Sequence, residues 1–255
     1  MISGEKDSPP QFFSCHSLKK SYGEKPVIAD VSIELPAGAF VSLIGKSGVG
    51  KTTLFRLLSG VETPDSGEVF LNGKAISGRA GFTAYMPQKD LLLEHLSVLD
   101  NIALPLLIKK QNRKKARAYV HSFLGEFGLA AYENSYPHEL SGGMRQKASL
   151  LRVCMQGNTV VLLDEPFSAL DAISRTKIHE WYENLARAFS LSTFCITHDI
   201  EEALKLSDRV YVMRGSPASI RASFELPQPR PRGREFFLSL EYLDLKRNLF
   251  EALEE

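Results

Sequence analysis

Gly45-Lys46-Ser47-Gly48-Val49-Gly50-Lys51-Thr52 fits G-x-x-x-x-G-K-[ST] without a gap. Glycines let backbone N–H groups turn inward around phosphate oxygens without Cβ clashes. The loop precedes a helix, whose first N–H groups are unsatisfied and whose dipole favours an anion. Lys51 supplies a fixed charge to the β- and γ-phosphates, and the Thr52 hydroxyl is a hard ligand for Mg²⁺. Thr53 adds a donor for the α-phosphate. These residues imply binding of a nucleoside triphosphate; hydrolysis needs more. Val160-Val161-Leu162-Leu163 is an apolar strand ending in Asp164 and Glu165, so both acids emerge at its carboxyl end, where ligands of open α/β sheets bind. Asp164 is placed to hold the magnesium ion and Glu165 to accept a proton from attacking water.

Leu140-Ser141-Gly142-Gly143 opens a second helix of the same kind, with Ser141 as N-cap and two glycines that bare the backbone. One nucleotide cannot need two such cradles from the same face of one protomer. The simplest resolution is that Ser141, Gly142 and Gly143 serve a nucleotide held on a second copy of the chain.

The elements that must position these residues follow from composition and periodicity. The chain has 255 residues, with Lys+Arg 31 against Asp+Glu 30. A net charge of +1 excludes the basic excess of a dedicated nucleic-acid binder, so no nucleic-acid partner is expected. At 44% hydrophobic and 24% charged, the chain has enough apolar side chains for a full core and is not disordered as a whole. No apolar run approaches the roughly 18 residues that span a bilayer. The N-terminus lacks the apolar run of a secretory signal, so a cytosolic protein is expected. Cys15, Cys154 and Cys195 are widely spaced and read as buried small hydrophobes rather than disulfide or metal partners.

Residues 1–11 read as a flexible lead-in. From Phe12 to Phe40, period-two alternation predicts strands, and Phe40–Ile44 a buried parallel one. Asn72-Gly73 marks a hairpin within Gly67–Ile76. Residues 91–145 turn helical; Ala116, Val120, Phe123, Leu124 and Phe127 share one face. Beyond, strands (Thr159–Leu163, Ser192–Thr197, Arg209–Met213) alternate with helices (Ile173–Phe189, Ile200–Leu206), which argues for a parallel sheet covered on both faces. Residues 217–255 read as an appendage: a stretch extended by proline at Leu226–Arg232, then an amphipathic helix striped by Leu238, Tyr242, Leu245, Leu249 and Leu253. That helix either caps the domain's own surface or contacts another subunit. The basic residues Lys109, Lys110, Arg113, Lys114, Lys115 and Arg117 read as a solvated helix face or, alternatively, as a surface for anionic headgroups, and Leu91-Leu92-Leu93 as either core or a groove for a partner helix.

Together these motifs resemble the ATP-binding subunit of an ABC (ATP-binding cassette) transporter, over Tyr22 to His198. The resemblance implies an α/β P-loop NTPase core with a mixed, mainly parallel sheet, an N-terminal antiparallel β subdomain and an inserted helical subdomain, the cassette occupying residues 12–216. It implies ATP and Mg²⁺ as ligands. Tyr22 falls where an aromatic stacks on adenine, and Gln88 matches the glutamine that senses magnesium and attacking water. Asp171, in Ser168-Ala169-Leu170-Asp171, matches the loop contacting the opposite active site, and His198 the histidine contacting the γ-phosphate. The implied metal ligands are Thr52, Gln88 and Asp164; the implied catalytic residues are Glu165, His198 and Gln88. The implied partners are a second copy, integral-membrane permease subunits and, indirectly, an extracytoplasmic solute-binding protein. The implied location is the cytoplasmic face of the inner membrane. The segment Gln88–Leu104 and the Pro/Arg-rich tail are similar to bacterial importers of the nitrate, sulfonate and taurine class, which includes uptake of thiamine precursors. An exporter, a lipoprotein-release motor and a non-transport cytosolic ATPase stand as alternatives.

Overall fold

Alternation in the first third of the chain produces a long antiparallel pair, β1 (Phe13–Tyr22) and β2 (Lys25–Leu35), with Phe13 opposite Leu35 and Tyr22 opposite Lys25. The structure, a computed structural model, describes residues 12–254; the lead-in expected at 1–11 lies outside them. After β2 comes β3 (Phe40–Ile44), every residue buried, then α1 (Lys51–Leu58). The predicted hairpin is β4 (Ser66–Leu71) and β5 (Lys74–Ala75), turning at Asn72-Gly73. The rest runs β6 (Ala84–Met86), α2 (Val98–Ile108), α3 (Arg113–Leu124), α4 (Gly142–Cys154), β7 (Val160–Asp164), α5 (Ala172–Ala188), β8 (Ser192–Ile196), α6 (Ile200–Leu206), β9 (Arg209–Gly215), β10 (Ala218–Glu225), α7 (Arg234–Phe237) and α8 (Leu240–Glu254).

Ten strands among the described residues form one curled sheet in the order β5-β4-β1-β2-β10-β9-β3-β8-β7-β6. From β9 to β6 all pairings are parallel: Val41 faces Arg209 on one side and Phe194 on the other, and Val161 faces Thr193. The carboxyl ends of β3, β6, β7 and β8 therefore lie along one edge, carrying Gly45, Pro87, Glu165 and Thr197. The antiparallel strands of the first third close the other end, as the fold class expected.

Three differences from the sequence reading have local causes. Helix does not begin at Leu91; Ser97, whose side chain accepts from Asp100 N, caps α2 instead, and Leu91 has φ 47. β10 was not anticipated. It pairs with β9 from Ala218–Gly215 to Glu225–Arg209, so the boundary placed at 216–217 falls within a hairpin of the main sheet. Its residues alternate half-buried and exposed, with Ser and Arg among them, and lack the apolar contrast that betrays a strand. Leu238 falls before the last helix, at the C-terminal end of α7, and is 74% exposed.

Apolar side chains bury in three clusters. One joins α2, α3, α4 and α5 to one face of the parallel strands, with Ala116, Val120, Leu124 and Phe127 on it as their spacing predicted. A second fills the space between α1, the antiparallel strands and the opposite face. A third joins α6, β9 and β10 to Phe236, Tyr242 and Leu249 of the C-terminal helices. The C-terminal helix thus caps its own domain, the first of the two readings. The three cysteines are free, and burial pushes the Cys15 and Cys154 thiols up to about 12. Arg113 and Arg117 pair with Asp100 and Lys109 donates to the Gln156 carbonyl, while Lys110, Lys114 and Lys115 are exposed.

Candidate active site

Each of the helices α2 to α6 carries a side-chain N-cap: Ser97, Asn112, Ser141, Asp171 and Asp199 accept from first-turn N–H groups. α1 has none. Its N-cap is Gly50, with φ 117, and no acid stands in its first turn. An N-terminus of this kind leaves donors and the positive end of the dipole free for an anion. The glycines before it are demanded by space and angle. A Cβ on Gly45 would come within 2.4 Å of the Met213 carbonyl oxygen, and Gly48 has φ 77.

The Lys51 ammonium is buried and donates to the carbonyls of Gly45 at 2.7 Å and Lys46 at 3.0 Å. Burial lowers its pKa, opposed by the charges of Glu165 and Asp164. Thr52 donates through Oγ1 to Asp164 Oδ2 at 2.9 Å, so the hydroxyl and carboxylate proposed for magnesium stand side by side. Asp164 is 2% exposed, and burial pushes its carboxyl above the usual range; Glu165 adds to that, while Thr52 and Lys51 oppose it. A phosphate-sized anion with a divalent cation fits this donor set: an uncapped helix start, one buried ammonium and two hard oxygens in contact.

Glu165 sits beside Asp164 with φ 50, a left-handed backbone rare outside glycine. Its Oε2 receives Gln88 Nε2 at 3.2 Å and lies 3.5 Å from His198 Nδ1. The structure thus brings together Lys51, Thr52, Asp164, Glu165, Gln88 and His198 at one sheet edge, although they come from four separate stretches of chain. Such a carboxylate, flanked by an amide and an imidazole, can orient a water and accept its proton. Tyr22 is 45% exposed at the end of β1; its hydroxyl donates to Glu62 at 2.5 Å, and Thr53 also acts on it.

Ser141, Gly142, Gly143 and Asp171 lie elsewhere. Among the described residues no hydrogen bond or ion pair joins them to Gly45–Thr53. Ser141 accepts from Met144 N and Asp171 from Ser174 N, each capping its own helix. Gly142 has no positive φ, and a Cβ there would meet nothing within 4 Å. Nothing within one chain requires a glycine at that position.

Sequence reading missed the residues that connect these parts. Gln146 donates to the Glu165 carbonyl at 2.8 Å and to Ser168 Oγ at 3.3 Å, and accepts from Ala169 N at 2.8 Å. Arg145 holds Asp90 through two bonds, at 2.8 and 3.0 Å. Burial works against the Asp90 charge, but Arg145 and the Leu92 N–H hold its carboxyl below the usual range. Arg145 and Gln146 lie two and three residues past the second glycine of the Ser141–Gly143 helix start, a spacing that says nothing of their distant partners. Of the three leucines after Gln88, Leu92 is core while Leu91 and Leu93 are exposed.

The profile of the ABC transporter family matches residues 28–168. The chain is 40% identical over 210 residues to the formylaminopyrimidine import ATP-binding protein ThiZ of Halalkalibacterium halodurans, covering 82% of each. It is 35% identical over 249 residues to the aliphatic sulfonates import ATP-binding protein SsuB of Albidiferax ferrireducens, covering 98% of this chain and 86% of that one. The dimeric structure of MJ0796, a bacterial ABC transporter cassette, matches its fold with a TM-score of 0.78 at 24% identity, over 85% of this chain and all of that one. On the profile and these relatives, the chain belongs to the ABC transporter family, as one of its ATP-binding and ATP-hydrolysing cassettes.

Proposed function

We propose that this cassette drives a bacterial importer of the sulfonate, nitrate and taurine class or of thiamine precursors, and that it works as a head-to-tail pair. The placement of Glu165 supports the catalytic part: its carboxylate stands next to the Thr52–Asp164 contact, between Gln88 and His198. In this reading the Gly45–Thr53 loop holds the triphosphate and Tyr22 supports the adenine. Thr52, Asp164 and Gln88 would hold Mg²⁺, which draws charge from the phosphates when bound. Glu165 takes the proton of the attacking water, and His198 fixes the γ-phosphate. The second cradle belongs to the other protomer's nucleotide, with Asp171 beside it. The free space over Gly142 supports that arrangement.

The names of the relatives support import, and with it membrane permeases and a solute-binding protein as partners at the cytoplasmic face of the inner membrane. Exposed Leu91 and Leu93 lie three and five residues after Gln88, on a stretch anchored by Asp90 and by four bonds of Asn101 to Leu93, Leu96 and Ser97. This is where a permease helix would feel the site. The test is turnover after reconstitution with its permease pair. Solute-loaded binding protein should stimulate hydrolysis, and Leu91→Glu with Leu93→Glu should abolish the stimulation while basal turnover persists. Turnover indifferent to loaded binding protein would overturn the importer reading.

A further inference from the structure

His198 is joined covalently to a short helix whose other end is gripped by the C-terminal tail. Asp199 follows His198 and caps α6, its Oδ1 accepting from Glu201 N at 2.9 Å and Glu202 N at 3.1 Å. Thr197 Oγ1 accepts from Asp199 N at 3.1 Å, and Arg175 of α5 donates to Asp199 Oδ2 at 3.2 Å. The backbone that carries His198 is therefore tied to the start of α6. That helix has seven residues, about 10 Å of rigid rod.

At its far end stands Arg232. The guanidinium is 7% exposed and donates to the α6 carbonyls of Leu204 at 3.2 Å and Lys205 at 3.1 Å. It also donates to Leu226 at 3.5 Å and Gln228 at 2.8 Å, and lies 5.4 Å from the Phe236 ring centroid. Among the described residues it makes no ion pair with a carboxylate, and its Nε has no partner. A buried cation with no carboxylate in contact, feeling only the more distant charges of Asp208 and Glu183, is expensive where packing alone is needed, and an apolar side chain would serve better. What it contacts directly is the negative end of the α6 dipole. α8 holds the opposite end: Lys246 Nζ reaches Glu201 Oε1 at 2.5 Å, and Tyr242 and Leu249 bury against Ile200, Ala203 and Leu204.

We propose that the segment 226–254 is a built-in brace for catalysis, with Arg232 the positioning residue that sets α6, and through it His198, against Glu165. The proposal rests on the reading of His198 given above. The brace offers a control point: whatever lifts the tail from α6 slows hydrolysis without touching the nucleotide.

The test is ATP turnover by the full-length chain carrying Arg232→Ala, Arg232→Lys or Lys246→Ala, each alone and combined with His198→Ala. R232A should lower kcat about tenfold with KM for ATP within about twofold, since positioning errors far from the chemistry act on the chemical step. R232K should recover most of the loss, because a cation still meets the helix end. The K246A change, at a half-buried position, should lower kcat about two- to threefold. In the H198A background R232A should cost no more than about a further twofold and K246A nothing measurable, because effects that run through one residue do not add. Full additivity, or wild-type kcat in both R232A and K246A, would overturn the brace while leaving the site reading intact. Wild-type turnover in H198A itself would overturn both. Independently of rate, the His198 ring resonance, identified by its loss in H198A, should move in R232A and return in R232K; an unmoved resonance overturns the brace.

Discussion

Gln146 donates through Nε2 to the backbone carbonyl of Glu165 at 2.8 Å, joining the helix that opens at Ser141 to the carboxylate that closes β7. The same amide accepts from Ala169 N, so one side chain spans the turn from Glu165 to Ala169. Glu165 holds a left-handed backbone that its side chain disfavours, and its neighbours keep it there: Gln146 and Ser168 donate to its carbonyl, and its N–H donates to the Ile196 carbonyl at 2.9 Å. A movement of α4 therefore reaches the proposed base without crossing solvent.

Gln146→Ala should unfold about 1–2 kcal/mol more easily, the cost of freeing partly buried partners. Its kcat should fall by more than its ATP affinity changes. Denaturant titration and steady-state kinetics check this; an unchanged kcat would separate the turn from catalysis.

Lys51→Ala removes the buried ammonium beside the uncapped start of α1. Charge-assisted bonds are worth about 1.5–3 kcal/mol, so ATP affinity should fall about 10- to 100-fold by calorimetry. Unchanged affinity would dissociate the loop from phosphate binding.

Burial raises the Asp164 pKa, so the folded chain binds a proton that the unfolded chain has released. The stability from that group is complete below the ordinary carboxylate range and is lost as pH rises through the raised value. The neutral isostere in Asp164→Asn should therefore raise the nucleotide-free melting temperature at pH 7, by about 2–4 °C for each 1 kcal/mol. The gap should close as pH falls below about 3.9. Hydrolysis should be lost with it. A variant that melts lower than wild type at pH 7 would contradict this sign.

The nucleotide loop and its lysine, the acids after Leu163 and the histidine after Thr197 were legible because each sits where an apolar strand stops. Chemistry at a strand end leaves a local mark. The braces were not legible. Gln146 to Glu165, Arg145 to Asp90 and Arg232 to α6 are pairs distant in sequence, formed by polar residues ordinary in their own surroundings. β10 escaped for another reason. It lies in the interior of the sheet, yet Ser219, Arg221 and Ser223 give it the composition of a loop.

Gly142→Ala separates the needs of one chain from those of two. A Cβ there meets nothing and the backbone angle is ordinary, so stability should stay within about 0.5 kcal/mol of wild type. Turnover should nonetheless fall, because in the proposed pair the added methyl group would face the nucleotide of the other protomer. Full activity would mean that nothing approaches this surface.

The account stands on sites completed by two protomers, and sedimentation of the full-length Glu165→Gln protein with and without Mg-ATP addresses it most directly. With hydrolysis blocked, ATP should hold the chains at twice the monomer mass, and its removal should return them to monomers. A protein that binds ATP to saturation at high concentration and still sediments as a monomer would contradict the account.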